Sequence, residues 1–199
     1  MLTRAPSALA VTLTLGHRSS TPIAEAFEAL YEVKREFHRG GGWSRLMNTH
    51  GVVGFQLVTE FTFSEETGPH PHFHGFYFSK QASSFDAESL ADALVQRWVH
   101  SAHRLGYEAS TGSQSAVIVP ARSRARMASY LGKDHADNWW PHDGRDTIGS
   151  IRRRAVHLDP YARTLYDELV LATAGRDRTV TTPNLAGRLA AAADSRSRC

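Results

Sequence analysis

Three histidines stand at alternate positions in a segment of strand-like composition. His70, His72 and His74 lie two residues apart, and side chains two apart in a β-strand point to the same face of the sheet. Imidazole is a common ligand for divalent metals, and a bound cation would keep three neighbouring rings neutral. The spacing therefore predicts a metal site. A polar sheet face whose histidines bind no metal is the alternative that the pattern leaves open.

Glu60 is the candidate oxygen ligand for the same site. It lies among apolar residues in the β-type run 52–63, and the segment 64–69, which has turn composition, separates this run from the histidine strand 70–78. Two strands so close in sequence are expected to pair as an antiparallel hairpin. In the right register Glu60 would face the histidines, whereas on a one-sided strand it would face solvent.

A cupin-like metal site, which also begins with a His-x-His sequence, is an alternative for this strand. Such a site needs a carboxylate four or five residues after its second histidine. This chain has Phe78 and Ser79 at those positions. The cupin-like alternative therefore lacks a ligand.

A second cluster combines a tyrosine with several cations. Residues 121–134 are predicted to form a helix. Arg122, Arg126 and Tyr130 recur along it at intervals of four residues, and Lys133 shares their face. Nearby positive charge favours the phenolate form of a tyrosine, and the same cations bind phosphate groups. The spacing indicates a nucleophilic tyrosine beside a phosphate; a solvated basic helix whose tyrosine packs on the sheet is the alternative.

The rest of the chain supplies elements that would position these residues. The spacing of apolar residues predicts, in chain order, strand 9–15, a helix that begins at Pro22 with Thr21 as its cap and ends before Gly40, strands 52–63 and 70–78, helix 86–105, strand 114–119, and helices 121–134, 160–174 and 185–193. Residues 40–50 and 138–149 are predicted to be loops. A local irregularity is expected at Gly75, with Phe76 and Phe78 after it as apolar packing residues. This order predicts an α+β fold with a central antiparallel sheet flanked by helices.

Composition narrows the class of protein. The chain has 199 residues, which suits one domain, and its 41% hydrophobic and 22% charged residues exclude a wholly disordered chain. A net charge of +3 is too small to indicate a nucleic-acid binder without local clusters. The single cysteine, Cys199, allows neither an internal disulfide nor a cysteine-based metal site. A reducing, cytoplasmic location is expected.

The opening segment contains an apolar stretch that resembles the core of a signal peptide. Residues 11–15 soon alternate threonine with valine and leucine, which is typical of a strand. No run approaches the roughly 18 apolar residues that a membrane span needs. A soluble protein without a membrane partner is expected.

Three motifs in the chain resemble those of the HUH single-strand endonucleases. The first is Val-Thr-Leu-Thr-Leu-Gly-His at 11–17, the second joins Glu60-Phe-Thr to the His-Pro-His-Phe-His run at 70–74, and the third is Tyr130-Leu-Gly-Lys133. They look most like those of replication initiators of rolling-circle plasmids from high-GC Gram-positive bacteria. The resemblance covers residues 8–135. It implies a catalytic core at 1–135 and a partly helical extension of the same domain at 136–199.

The resemblance also implies a role for each motif residue. Glu60, His72 and His74 would bind Mg²⁺ or Mn²⁺, with His70 as an alternate ligand or a neighbour of the ligands. Tyr130 would be the nucleophile, and Lys133 would orient the phosphate or stabilise phenolate. The DNA-binding residues would be Arg122, Arg124, Arg126 and His17.

The implied activity is nicking of single-stranded or extruded origin DNA through a 5′-phosphotyrosine, which leaves a 3′-hydroxyl primer. A host helicase and polymerase would be partners. A conjugative relaxase or a single-tyrosine transposase would use the same chemistry, and a DNA-binding protein with a structural zinc site is a more distant alternative. Such initiators carry a glutamate four residues before the tyrosine, where this chain has Arg126. In those initiators the glutamate activates water to end replication. The resemblance therefore does not imply that this chain ends replication in the same way.

Overall fold

A computed structural model describes residues 8–79, 86–119 and 144–194. The strands are β1 (Ala8–Leu13), β2 (Val52–Ser64), β3 (Gly68–Ser79), β4 (Ser115–Val119), β5 (Asp146–Thr147) and β6 (Thr179–Thr181). The helices are α1 (Ile23–Phe37), α2 (Gly40–Thr49), α3 (Ala87–Arg104), α4 (Ile148–Val156), α5 (Pro160–Thr173) and α6 (Leu185–Asp194). A short 3-10 turn occupies Thr111–Ser113. The helix predicted at 121–134 lies outside the described residues.

The strands form one antiparallel sheet in the order β4-β1-β3-β2-β5, and β6 pairs with another part of β2. The predicted α+β fold with helices flanking an antiparallel sheet is confirmed. The predicted hairpin is also confirmed, because β2 and β3 pair from Val52↔Ser79 to Ser64↔Gly68. Within this ladder Glu60 is the direct partner of His72.

One face of the sheet is covered by helices and carries the main core. Phe61, Phe73 and Tyr77 from β2 and β3 pack there with side chains of α1, α3 and α5, among them Phe27 and Trp98. All five of these side chains are buried. Burial of aromatic side chains of this size is a leading source of fold stability. The position of β3 is therefore fixed by the packing of its side chains on this face.

The opposite face, here called the histidine face, carries the side chains of His70, His72 and His74. Because side chains alternate along a strand, Phe76 and Phe78 share this face with them. They form a second, smaller core with Ala8, Val53 and residues of α6. The histidine face is thus apolar toward the end of β3 and polar toward its beginning.

The prediction of an irregularity at Gly75 is wrong. The pairing of β3 with β1 and with β2 continues through Gly75, which stands opposite Val11 and Leu57. A Cβ at this position would come within 3.0 Å of side-chain atoms of Val11, Leu57 and Tyr77. The glycine leaves room for these core residues. Phe76 therefore lies on the opposite face from Phe73.

Two predicted loops contain regular structure instead. Helix α2 occupies most of 40–50 because Trp43, Leu46 and Met47 pack against the main core; this packing overrides the weak helix propensity of three successive glycines. In the part of 138–149 that the structure describes, β5 pairs with the end of β2. Thr147 then caps α4 through a reciprocal hydrogen-bond pair with Ser150.

The start of α1 also differs from the prediction. The helix begins at Ile23, with Pro22 in the cap position, and the Thr21 hydroxyl accepts a hydrogen bond from the backbone N–H of Arg18 at 3.0 Å. Thr21 therefore closes the preceding turn rather than capping the helix. Among the residues with described positions, no helix combines the length and the apolar character that crossing a bilayer requires.

His38, at the end of α1, couples the stability of the fold to pH. Its ring lies 4.5 Å from the ring of Trp43 and 5.6 Å from that of Phe55, centre to centre. Its Nδ1 contacts the carbonyl oxygen of Lys34 at 2.8 Å. Burial lowers the pKa of His38 from 6.5 to about 4. The ring is therefore neutral in the folded protein at pH 7.

We expect His38 to destabilise the fold in acid. Between pH 6.5 and about 4 the unfolded chain binds a proton on His38 that the folded chain does not, so the free energy of unfolding falls as pH falls. At pH 5 this loss is about 2 kcal/mol. Chemical denaturation at pH 7 and pH 5 should show a loss smaller by about that amount in His38→Phe than in the wild type. The exposed His100→Phe is the control, and an equal loss in His38→Phe would contradict the assignment.

Candidate metal centre

Glu60, His72 and His74 converge on one point of the histidine face. The Nε2 atoms of His72 and His74 are 3.2 Å apart. Glu60 Oε2 lies 3.1 Å from His74 Nε2 and 3.8 Å from His72 Nε2. The ligand atoms of these three residues all lie within 4.8 Å of one another, and no other group of this kind occurs in the described parts of the chain.

The neighbours of the two imidazoles orient their Nε2 atoms toward this point. His72 Nδ1 lies 3.2 Å from the carbonyl oxygen of His70. An N–H on Nδ1 would donate to that oxygen and leave a lone pair on Nε2. His74 Nδ1 lies 3.1 Å from Thr12 Oγ1 and can donate to that hydroxyl in the same way. Such partners fix the ring orientation and tautomer of metal-binding histidines.

The burial of His72 suits a metal ligand. Burial first, and then the neighbouring His74 and His70 rings, lower the pKa of His72 to about 3. The ring is therefore neutral at pH 7, which is the form that binds metals. The side chains of His74 and Glu60 are 19% and 20% exposed. The cluster is thus accessible from solvent on one side.

The three ligand atoms fit a small divalent cation. A triangle with the sides given above has its centre about 2 Å from each corner, which matches the bond lengths of first-row divalent metals to imidazole nitrogen and carboxylate oxygen. Among the described residues three ligands converge, and a cation held by three protein ligands keeps coordination positions for water or substrate, as catalytic sites do. Two histidines and one carboxylate suit manganese, zinc or iron, and a carboxylate also suits magnesium.

His70 lies next to these three residues, and its backbone carbonyl oxygen contacts His72 Nδ1. Its ring is not one of the converging ligands; its Nε2 instead lies 3.3 Å from the hydroxyl oxygen of Thr14. The ring of His17 packs against the ring of His70, with the two ring centres 5.0 Å apart. Burial, helped by the charges of His17 and Arg145, lowers the pKa of His70 to about 4. The DNA contact expected of His17 stays a prediction.

Sequence reasoning missed the residues that orient the imidazoles. Thr12 and Thr14 contact His74 and His70, and both lie in the alternating stretch that predicts β1. Their alternation placed them on one face, but only the pairing Thr12↔His74 shows that this face is that of the histidines. The charge of Arg145 near His70 was also missed, because nothing in the sequence indicates that β5 joins the end of β2.

The residues of the predicted tyrosine helix lie outside the described part of the structure. These are Tyr130, Lys133, Arg122, Arg124 and Arg126. The predicted nucleophile and its cationic neighbours therefore stay predictions. The described residues do bring together the predicted ligands Glu60, His72 and His74.

Comparison of the chain with family models, curated proteins and solved structures found no match. The function must therefore be argued from the site. The described strands form one sheet, whereas a cupin is a jelly roll of two sheets. The fold thus gives no support to the cupin-like alternative for the His-x-His strand.

We expect the protein to bind one Mn²⁺ ion through these residues. In calorimetric titrations of chelator-treated protein, His72→Ala and Glu60→Gln should each abolish binding, because each removes one of three ligands. Thr12→Val should weaken binding about 10- to 100-fold, as is typical for a residue that orients a metal-binding histidine. The exposed His100→Ala is the matched control. Wild-type affinity in His72→Ala would show that the cluster is not the metal site.

Proposed function

We propose that this protein is a metal-dependent single-strand DNA endonuclease that initiates rolling-circle replication of a plasmid. The observation that carries the proposal is the centre formed by Glu60, His72 and His74. It lies on the middle strands of an antiparallel sheet, it is open to solvent on one side, and it leaves coordination positions for a substrate oxygen. Single-stranded DNA is proposed as the substrate because the His-Pro-His-Phe-His and Tyr-x-x-Lys motifs resemble those of the HUH single-strand endonucleases.

The chain's own residues prepare this centre for a phosphodiester. A cation bound here, Mg²⁺ or Mn²⁺, would act as a Lewis acid on the scissile phosphate oxygens. The Glu60 carboxylate would offset part of the cation's charge, and imidazole ligands carry none, so net positive charge would remain to attract phosphate. Thr12 and the His70 carbonyl hold both rings in place before substrate arrives.

The register of the sheet is compatible with Tyr130 as the nucleophile. Strand β4 ends at Val119, opposite Ala8, whereas the ligand His74 is opposite Thr12. The distance from Ala8 to Thr12 along the strand is about 13 Å. If the helix predicted from the sequence forms, the residues from Val119 to Tyr130 would cover about 17 Å. The predicted helix would thus be long enough for Tyr130 to reach the level of Glu60, His72 and His74.

The reaction is a transesterification. The Tyr130 phenolate oxygen attacks phosphorus, a phosphotyrosyl bond forms and the P–O3′ bond breaks. The leaving oxygen takes a proton and becomes the 3′-hydroxyl from which a host polymerase extends. Lys133, with the arginines of the same predicted helix, favours phenolate at Tyr130 and binds the phosphate. The phosphotyrosyl bond can later be attacked by a 3′-hydroxyl, which rejoins the strand.

We expect a covalent adduct between the protein and single-stranded DNA. A random pool of labelled single strands with Mn²⁺ should yield a labelled protein band under denaturing conditions. Tyr130→Phe should remove the band because it removes the nucleophile, whereas the control Tyr161→Phe, at an exposed tyrosine of α5, should keep it. His74→Ala should reduce the yield of adduct by at least about 100-fold, the loss of several kcal/mol of charge stabilisation.

Each outcome of this assay separates the proposed activity from its rivals. An adduct of undiminished yield in Tyr130→Phe would show that another residue is the nucleophile. DNA binding and metal binding without any adduct would support the DNA-binding protein with a structural metal site. When strands of defined sequence replace the random pool, an adduct formed only with transposon ends or only with a transfer origin would favour the transposase or the relaxase.

A further inference from the structure

A groove lies beside the candidate metal centre, between two loops. One loop follows β1 and comprises residues 14–17, and the other follows α3 and comprises residues 107–113. His70 of β3 and His103 of α3 complete the lining. The groove has a volume of about 510 Å³. This is within the range of small-molecule sites, and it is larger than one nucleobase needs.

The two walls of this groove are linked by hydrogen bonds. The backbone N–H of Gly16 donates to the carbonyl oxygen of Glu108 at 2.7 Å. The side chain of Gln114 accepts from the backbone N–H of Thr14 at 2.8 Å and donates to the carbonyl oxygen of Ser110 at 2.8 Å. The groove is therefore formed before any ligand binds. A preformed site avoids the entropic cost of ordering loops on binding.

A close approach of the backbones explains why one wall contains glycine. A Cβ on Gly16 would lie 3.0 Å from Glu108 Cβ and 3.4 Å from the Glu108 carbonyl oxygen. The contact is tighter than ordinary van der Waals packing. The small residue thus lets the first wall approach the second.

The groove borders the proposed metal ligands through His70. The ring of His70 lines the groove, and its centre lies 5.2 Å from that of His72. His17 continues the row on the groove side, 5.0 Å from His70. A chain that has one phosphate at the metal centre can therefore place an adjacent nucleotide in the groove.

The lining suits a flat, neutral heterocycle better than a phosphate. It offers the aromatic surfaces of His17, His70 and Tyr107 together with hydroxyl groups of Ser110 and Ser113. The Tyr107 hydroxyl donates to Glu32 at 2.6 Å, which fixes the ring. The carboxylate of Glu108 also lines the groove and would repel an anion. Stacking on aromatic rings is the usual way in which proteins bind unpaired bases.

We infer that this groove binds one unpaired base of a single-stranded DNA substrate, next to the phosphate at the metal centre. The inference deepens the proposed function and rests on it for the identity of the substrate. His17 is the residue that stacks on the base, because it is half-buried at the groove side of the histidine row. The hydroxyls and the backbone of the second loop contact the base edge.

Binding of two oligonucleotides in EDTA tests this inference, since no cleavage occurs without metal. The probes are a fluorescent decamer of thymidine nucleotides and an abasic decamer of the same length, measured by anisotropy on the full chain. His17→Ala should weaken binding of the thymidine decamer about tenfold, as expected for one lost base stack. It should leave the abasic decamer unaffected. His17→Phe should restore binding of the thymidine decamer, and His100→Ala is the control.

Three results would overturn the inference. The wild type could bind both decamers equally, His17→Ala could bind the thymidine decamer as the wild type does, or His17→Ala could weaken both decamers equally. Any of these would leave the adduct assay, and with it the proposed nicking, unaffected. Conversely, a base-specific effect of His17 in a protein that forms no adduct would support the groove and refute the proposed function.

Discussion

The pairing of Glu60 with His72 across the β2–β3 hairpin is the constraint on which the site depends. It places a carboxylate opposite a row of imidazoles on the two most central strands. A slip of one residue would move Glu60 into the helix-covered core and a core side chain onto the histidine face. The aromatic side chains that pack behind the hairpin prevent this slip, because they fill only one face. The core and the cluster of Glu60, His72 and His74 thus require the same register.

A second consequence of this register is the continuous row of imidazoles. His17, His70, His72 and His74 follow one another at centre-to-centre distances of 5.0, 5.2 and 4.9 Å. The two rings at one end converge with Glu60, and the two at the other end line the groove. A DNA strand that runs along this row would contact both the Glu60 cluster and the groove. This arrangement connects the proposed chemistry with the inferred base site.

The sequence was sufficient to predict that Glu60 and the histidines lie together, because the two-residue period of a strand is a strong signal. Once the two runs are assumed to form a hairpin, three alternating histidines and a glutamate on the neighbouring strand can be arranged in only a few ways. The contacts of Thr12 and Thr14 could not be predicted, since they depend on β1 pairing with β3, far away in the sequence. Helix α2 was missed for a similar reason: only tertiary packing of Trp43 overrides its glycines.

The misplaced irregularity at Gly75 has its own physical cause. A glycine within a strand often marks a bulge. Here it makes room for the core beneath the sheet, and the strand continues with its register unchanged. Local sequence does not distinguish these two uses of a glycine.

Crystals grown with Mn²⁺ would test the central claim, that one cation joins the hairpin's carboxylate and imidazoles. An anomalous difference map should show one strong peak about 2.0–2.2 Å from His72 Nε2, His74 Nε2 and Glu60 Oε2. A map without a peak at these three atoms, at Mn²⁺ concentrations that saturate the protein in solution, would contradict the account.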